Sequence, residues 1–188
     1  MKKYVISLLF ISILTSCVGF SRKMIKDDLS VITRSNVSAI DGAYEFKGYE
    51  HINAGNEKSA NSTDFSEMLD IRRSGISDCD KVVIQSTALE RKKKYSIHFK
   101  LLKSDSVKYH FAYDGRLKNG ILVLDNYTSG CHGIPFLFGG CRSFQSRIGL
   151  TKEKNLMVQD YYDNSGALLF VLWAGYTINY AEKFKRIQ

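Results

Sequence analysis

The sequence predicts an all-β body: a single antiparallel up-and-down β-barrel, or a strongly curved sheet, of about eight strands, with an N-terminal signal helix and one short helix. Three observations carry this. From Lys81 onward the chain is a succession of short segments rich in β-branched and aromatic residues, separated by turn chemistry. Nearly all the connections are too short for a crossover helix, so neighbouring strands must run antiparallel. Apolar and polar residues alternate: Tyr95, Ile97, Phe99 and Leu101 share one face, and Ser96, His98 and Lys100 share the other.

In chain order, residues 41–49 begin the ordered body, with Tyr44, Phe46 and Gly48 on one side of a strand and Glu45, Lys47 and Tyr49 on the other. Residues 51–63 are rich in Asn, Ser and Gly and read as a loop. Residues 64–71 place apolar side chains at 65, 68 and 69, the spacing of a short helix. Strands follow at 81–89, 95–102, 107–118, 121–127, 143–150, 156–162 and 167–174, and 176–186 forms a last one. Asn119-Gly120 is a two-residue hairpin turn that demands positive φ at both positions. Residues 103–106, 151–155 and 163–166 read as further hairpin loops. Closure into a barrel would remove the two unpaired edges of such a meander.

The first apolar run, Tyr4 to Leu14, follows Lys2 and Lys3 and is too short to span a bilayer. It ends in Leu14-Thr15-Ser16-Cys17. These residues resemble the bacterial lipoprotein signal, in which a small-residue box is cut before a cysteine that carries acyl chains such as palmitate. The resemblance divides the chain into a signal peptide at 1–16, a lipidated tether at 17–40 and a body at 41–188. It makes Cys17 the lipidation site and the membrane a partner through that lipid. Two or three acyl chains hold a protein to a bilayer durably. Val18 is not the aspartate that resembles an inner-membrane retention signal, so the expected address is the cell envelope, with the outer membrane and its periplasmic face favoured.

Lysine and arginine outnumber acids by 27 to 19, a formal charge of +8. An exported basic protein meets anionic lipid or envelope polymer, not nucleic acid. The densest basic run, residues 91–94, sits between two strands and reads as a solvated turn. With Cys17 committed to lipid, Cys79, Cys131 and Cys141 remain, and Cys131 and Cys141 are the natural disulfide partners across a short glycine-bearing loop.

The opening Asp41-Gly42-Ala43-Tyr44, the hairpin of residues 115–122 and Arg186 near the end resemble the lipocalin-like (calycin) group of small barrels, over residues 41–186. The family's first strand usually carries Gly-x-Trp, whereas Tyr44 stands here and the only tryptophan is Trp173. The resemblance implies carriage of a small apolar molecule and no catalytic residues.

Segment 131–141 is the strongest local candidate for function, because Ile134, Phe136, Leu137 and Phe138 are costly to leave in water at about 1.5–3 kcal/mol each. It either folds over the barrel end as a plug, gates a ligand as a lid, or meets a membrane or a protein. Metal binding is not expected, since Cys131 and His132 are adjacent and no Cys-x-x-Cys spacing occurs. His98 and His110 fall on the polar face of one hairpin and read as exposed histidines. Asp78 and Asp80 beside Cys79 raise a thiol pKa rather than activate it. No nucleophile elbow or phosphate loop is present, so the chain reads as a binder and not an enzyme, without a cofactor. The preferred expectation is a small hydrophobic or amphipathic ligand held in the barrel by Tyr44, Tyr95, Ile97, Phe99, Tyr109, Phe111 and Trp173. The alternative is an envelope interaction module, an accessory subunit or inhibitor, that grips a protein partner through its loops.

Overall fold

The computed structural model describes residues 19–90, 93–134, 138–168 and 172–187, so the expected signal helix and Cys17 lie outside the described residues. The chain is all-β, and every strand pairing is antiparallel. Among the described residues twelve strands occur: β1 (Leu29–Ser30), β2 (Gly42–Glu45), β3 (Glu50–Ile52), β4 (Lys58–Ser59), β5 (Lys81–Ala88), β6 (Lys94–Lys103), β7 (Ser106–Lys118), β8 (Ile121–Leu124), β9 (Thr128–Ile134), β10 (Phe138–Thr151), β11 (Leu156–Leu168) and β12 (Leu172–Phe184). Their order is β2-β5-β6-β7-β8-β10-β11-β12-β3-β4, with β1 and β9 both paired to β10.

This order is open, with β2 and β4 at its ends. Of the two expected forms, a closed barrel or a strongly curved sheet of about eight strands, it is not the closed one, and it has more strands than expected. The additional strands are the two- and three-residue β1, β3 and β4, too brief to show a period, and β9, which lies in the cysteine segment. The outer side of β2 meets the chain just after β12. Tyr44 bridges Arg186, the Glu45 N–H donates to the Lys185 carbonyl at 2.9 Å, and the Ile187 N–H donates to the Ala43 carbonyl at 2.8 Å.

The expected short helix at 64–71 is a 3-10 turn over Glu67–Leu69, with similar turns at Val37–Ile40 and Ile76–Asp78. The Asp64 side chain accepts the N–H groups of Ser66 and Glu67 and starts the turn, and Asp70 ends it in the left-handed region at φ 51°. The turn at Asn119-Gly120 has φ of 55° and 82°, as a two-residue hairpin requires.

Two loop assignments are corrected. Residues 163–166 continue β11: Asp163 stands opposite Thr177 and accepts its hydroxyl at 2.8 Å, and Gly166 stands opposite Ala174. The apolar run 167–174 is consequently not one strand. It ends β11 and begins β12 around a hairpin bracketed by the Leu168–Leu172 pair, its residues 169–171 lying outside the described set. Likewise 131–141 is two strands of a hairpin and not an irregular loop, with Phe138 opposite Ile134 and residues 135–137 outside the described set.

The core fills the concave side of the sheet. Tyr95, Ile97, Phe99 and Leu101 of β6 meet Val82 and Ile84 of β5, Ile148 and Leu150 of β10, Leu156 and Val158 of β11, and Phe184 of β12. The segment between β4 and β5 supplies Phe65, Met68, Leu69, Ile76 and Cys79 to the same cluster. Residues 19–40 are also docked on the body. Ile32, Val37 and Ile40 join the main core, while Met24 and Ile25 pack with Ile52, Ile121, Met157 and Ala181 on the outer face.

Candidate functional site

The aromatic face is assembled as the alternation predicts. Tyr44, Ile97 and Phe99 are fully buried, Tyr95 is buried, and Tyr109 and Phe111 are partly buried against them. Phe99 stacks on Phe111 at 5.3 Å between ring centroids. Its neighbouring volume is taken by Phe65, fully buried and 5.6 Å from both Phe99 and Phe184. Burying such a ring contributes about 1.5–3 kcal/mol. Trp173 lies elsewhere, in β12 opposite Ala167.

Tyr44 belongs to a separate cluster at the chain ends. Its hydroxyl donates to the Ile40 carbonyl at 2.8 Å, and burial pushes its pKa up to about 12 against the favourable pull of Arg186. The Arg186 guanidinium lies over the Tyr44 ring at 5.4 Å and donates to the carbonyls of Ala39 and Asp41. One cation thus ties the last residues to the turn that precedes β2.

Two buried carboxylates, Glu182 and Asp160, and a half-buried one, Glu50, were not expected. Glu182 is fully buried; its Oε2 meets His51 Nδ1 at 2.9 Å and accepts the N–H and hydroxyl of Thr63. Burial raises its pKa, opposed by these bonds. The contacts anchor the loop that inserts Phe65, and they need a glycine at 48, where a Cβ would lie 2.0 Å from Glu182 Oε1. Asp160 accepts the Tyr180 N–H at 3.0 Å, and burial drives its pKa up to about 7 despite that bond and the nearby His51. Glu50 pairs with Lys183 at 2.6 Å and Lys58 at 3.2 Å, and Lys183 also pairs with Asp28. In sequence, Glu182 sits between Ala181 and Lys183 and looks solvated; only strand alternation with Phe184 hints that it faces inward.

Cys131 and Cys141 form a disulfide and stand directly opposite each other in β9 and β10. Cys79 is buried, and its thiol pKa is raised by burial and by Asp80 and Asp78. His98 and His110 stack at 5.7 Å. No cluster of three metal-ligating side chains occurs among the described residues.

A cavity of about 670 Å³ lies on the outer face where β7, β8 and β10 meet residues 19–22. Arg147, only 6% exposed, forms one wall. Its guanidinium donates through Nε to Gln159 Oε1 at 2.7 Å and through Nη2 to the Ser21 carbonyl at 3.0 Å, and it lies over the Phe20 ring at 4.6 Å. None of these partners is an anion. Burial, then the neighbouring Arg22, draws its pKa down to about 10. Arg22, Lys94, Arg116 and Lys118 complete a basic rim, against Asp114 and Asp125. Sequence reading passed over Arg147 because what covers it, residues 20–22, is remote in the chain. No protein-family model and no curated protein matches this chain.

Proposed function

We propose that this is a lipid-anchored protein of the bacterial cell envelope that acts through its surface, as an interaction module, and not by carrying a ligand inside its body. The observation that carries this reading is the seating of Phe65 between Phe99 and Phe184. The face expected to line a ligand chamber packs against the chain's own segment 64–79. Two strand edges support the same reading. Among the described residues no strand pairs with the edge of β9 away from β10, or with the edge of β12 away from β11 between Leu172 and Tyr180. Unpaired edges are templates on which a partner chain adds a strand.

Cys17 is the proposed acylation site, the outer membrane the proposed address, and the periplasmic face the proposed side. We read the body as a lipocalin-like barrel whose seam is drawn together by Tyr44 and Arg186; the bridge between them supports this. Native mass spectrometry of the full chain, purified in neutral detergent, tests the interior. The expected spectrum shows protein and acyl mass alone, and a stoichiometric apolar molecule that leaves on denaturation would restore the carrier. A photocrosslinker at the exposed position 132 is expected to give discrete protein adducts in cells. Loss of palmitate labelling in Cys17→Ser tests the anchor.

A further inference from the structure

We infer that the outer-face cavity beside residues 19–22 binds a phosphate-bearing anion, supplied by the head group of a membrane lipid. Arg147 is the central observation. It is nine-tenths shielded from water, yet its bonds run to a neutral amide and a carbonyl, and its Nη1 makes no hydrogen bond among the described residues. A buried cation is costly without a counter-charge. The same protein satisfies that rule elsewhere, since buried Lys183 holds two carboxylates.

Around Arg147 the imbalance grows. Arg22, Lys94, Arg116 and Lys118 face the same hollow, and none forms an ion pair among the described residues. Asp114 and Asp125 at the rim offset only two of these five charges. Such a cluster repels itself when empty and is relieved by an anion of more than one oxygen, for which guanidinium forks are suited. The volume, about 670 Å³, exceeds what a bare phosphate fills and lies in the range of small-molecule sites. Phe20 gives the wall an apolar stretch beside the charges. An amphiphile's head group, with phosphate and an adjoining apolar portion, matches both. The assignment to a lipid, though not to phosphate, rests on the proposed anchor at Cys17, three residues before Phe20.

The test uses the full chain in neutral detergent micelles, titrated calorimetrically with inorganic pyrophosphate. Binding is expected, and it should weaken by about a hundredfold in the double variant Arg116→Gln, Lys118→Gln, each lost charged contact accounting for roughly one decade. Both side chains are exposed, so folding is expected to persist, checked by an unchanged melting curve. Arg147→Gln should abolish binding. Micelles doped with phosphatidylglycerol should displace pyrophosphate, and micelles doped with phosphatidylcholine should not. Absence of pyrophosphate binding, or undiminished binding by the double variant, overturns the site. Binding that phosphatidylglycerol fails to displace overturns the lipid assignment. Neither readout depends on acylation, so a failure here is distinct from a failure of the anchor.

Discussion

The body around the main core and the arm made by β9 with the adjoining parts of β10, β11 and β12 belong to one continuous sheet but are held by different forces. In the body, buried side chains from β2, β5, β6, β8, β10, β11 and β12 join Phe65 in the main cluster, and a second, smaller cluster lies on the outer face. In the arm, residues 128–133 and 174–176 are exposed, residues 161–166 are half-exposed, and the ladder runs on regardless for several more pairs. The body is stabilised mainly by apolar burial. The arm relies on backbone hydrogen bonds, register and one disulfide. Elements with few buried contacts open locally at lower free energy than the core, so the arm should be the first part to fray.

The largest expected effect is in the body. Phe65→Ala removes the ring at the centre of the core and should cost about 3–5 kcal/mol in urea unfolding of the full chain. A cost under about 1 kcal/mol would mean that the segment 64–79 is not part of the cooperative core. Gly48→Ala sets a methyl against the pinned Glu182 carboxylate and should cost about 1–3 kcal/mol. Its melting temperature should fall without any change in the arm.

Asp160 sharpens the boundary between the two regions. Its folded pKa, about 7, is raised above the ordinary aspartate value of 3.8, so the folded state holds the proton more tightly than the unfolded state. Its contribution is therefore most favourable below the unfolded pKa and is lost as pH rises from about 4 through about 7. Asp160→Asn keeps an acceptor for Tyr180 and removes that loss. Its advantage over wild type should grow by about 1–3 kcal/mol between pH 5 and pH 8. An advantage independent of pH would show that Asp160 is already charged in the folded state at both pH values, so that burial does not raise its pKa. The smallest global effect belongs to the arm. Replacing Cys131 and Cys141 by Ser opens a link spanning ten residues, which in the loop-entropy picture stabilises by up to about 3 kcal/mol. Because the arm frays independently, global stability should change by less than about 1 kcal/mol. Amide exchange in residues 128–144 should accelerate instead, and equal acceleration in β6 would erase the distinction between the regions.

Local chemistry made the body readable. Alternation placed Tyr44, Phe46, Tyr95, Ile97 and Phe99 on the inward face, Asn119-Gly120 announced its turn, and the spacing of Cys131 and Cys141 pointed to their bond. The arm was harder to read because its turn signals mislead. Residues 163–166 have the composition of a loop, but cross-strand partners such as Thr177 hold them in a strand, while the true reversal falls within an apolar run. The basic cavity was invisible for a different reason. Arg147 acquires its meaning from Phe20 and Ser21, more than 120 residues earlier, and no periodicity records such a contact.

Residues 20–25 are pressed against the outer face, with the Phe20 ring 5.7 Å from Tyr161 and Met24 and Ile25 buried. An acyl chain on Cys17 would then be joined to the folded mass by three residues, a leash of about 10 Å at full extension. With Cys17 acylated at a periplasmic face as proposed, so short a leash would deny the protein any reach across the periplasm. It would slide along the bilayer with one flank always turned towards the head groups, and any partner would have to come to that plane to be met.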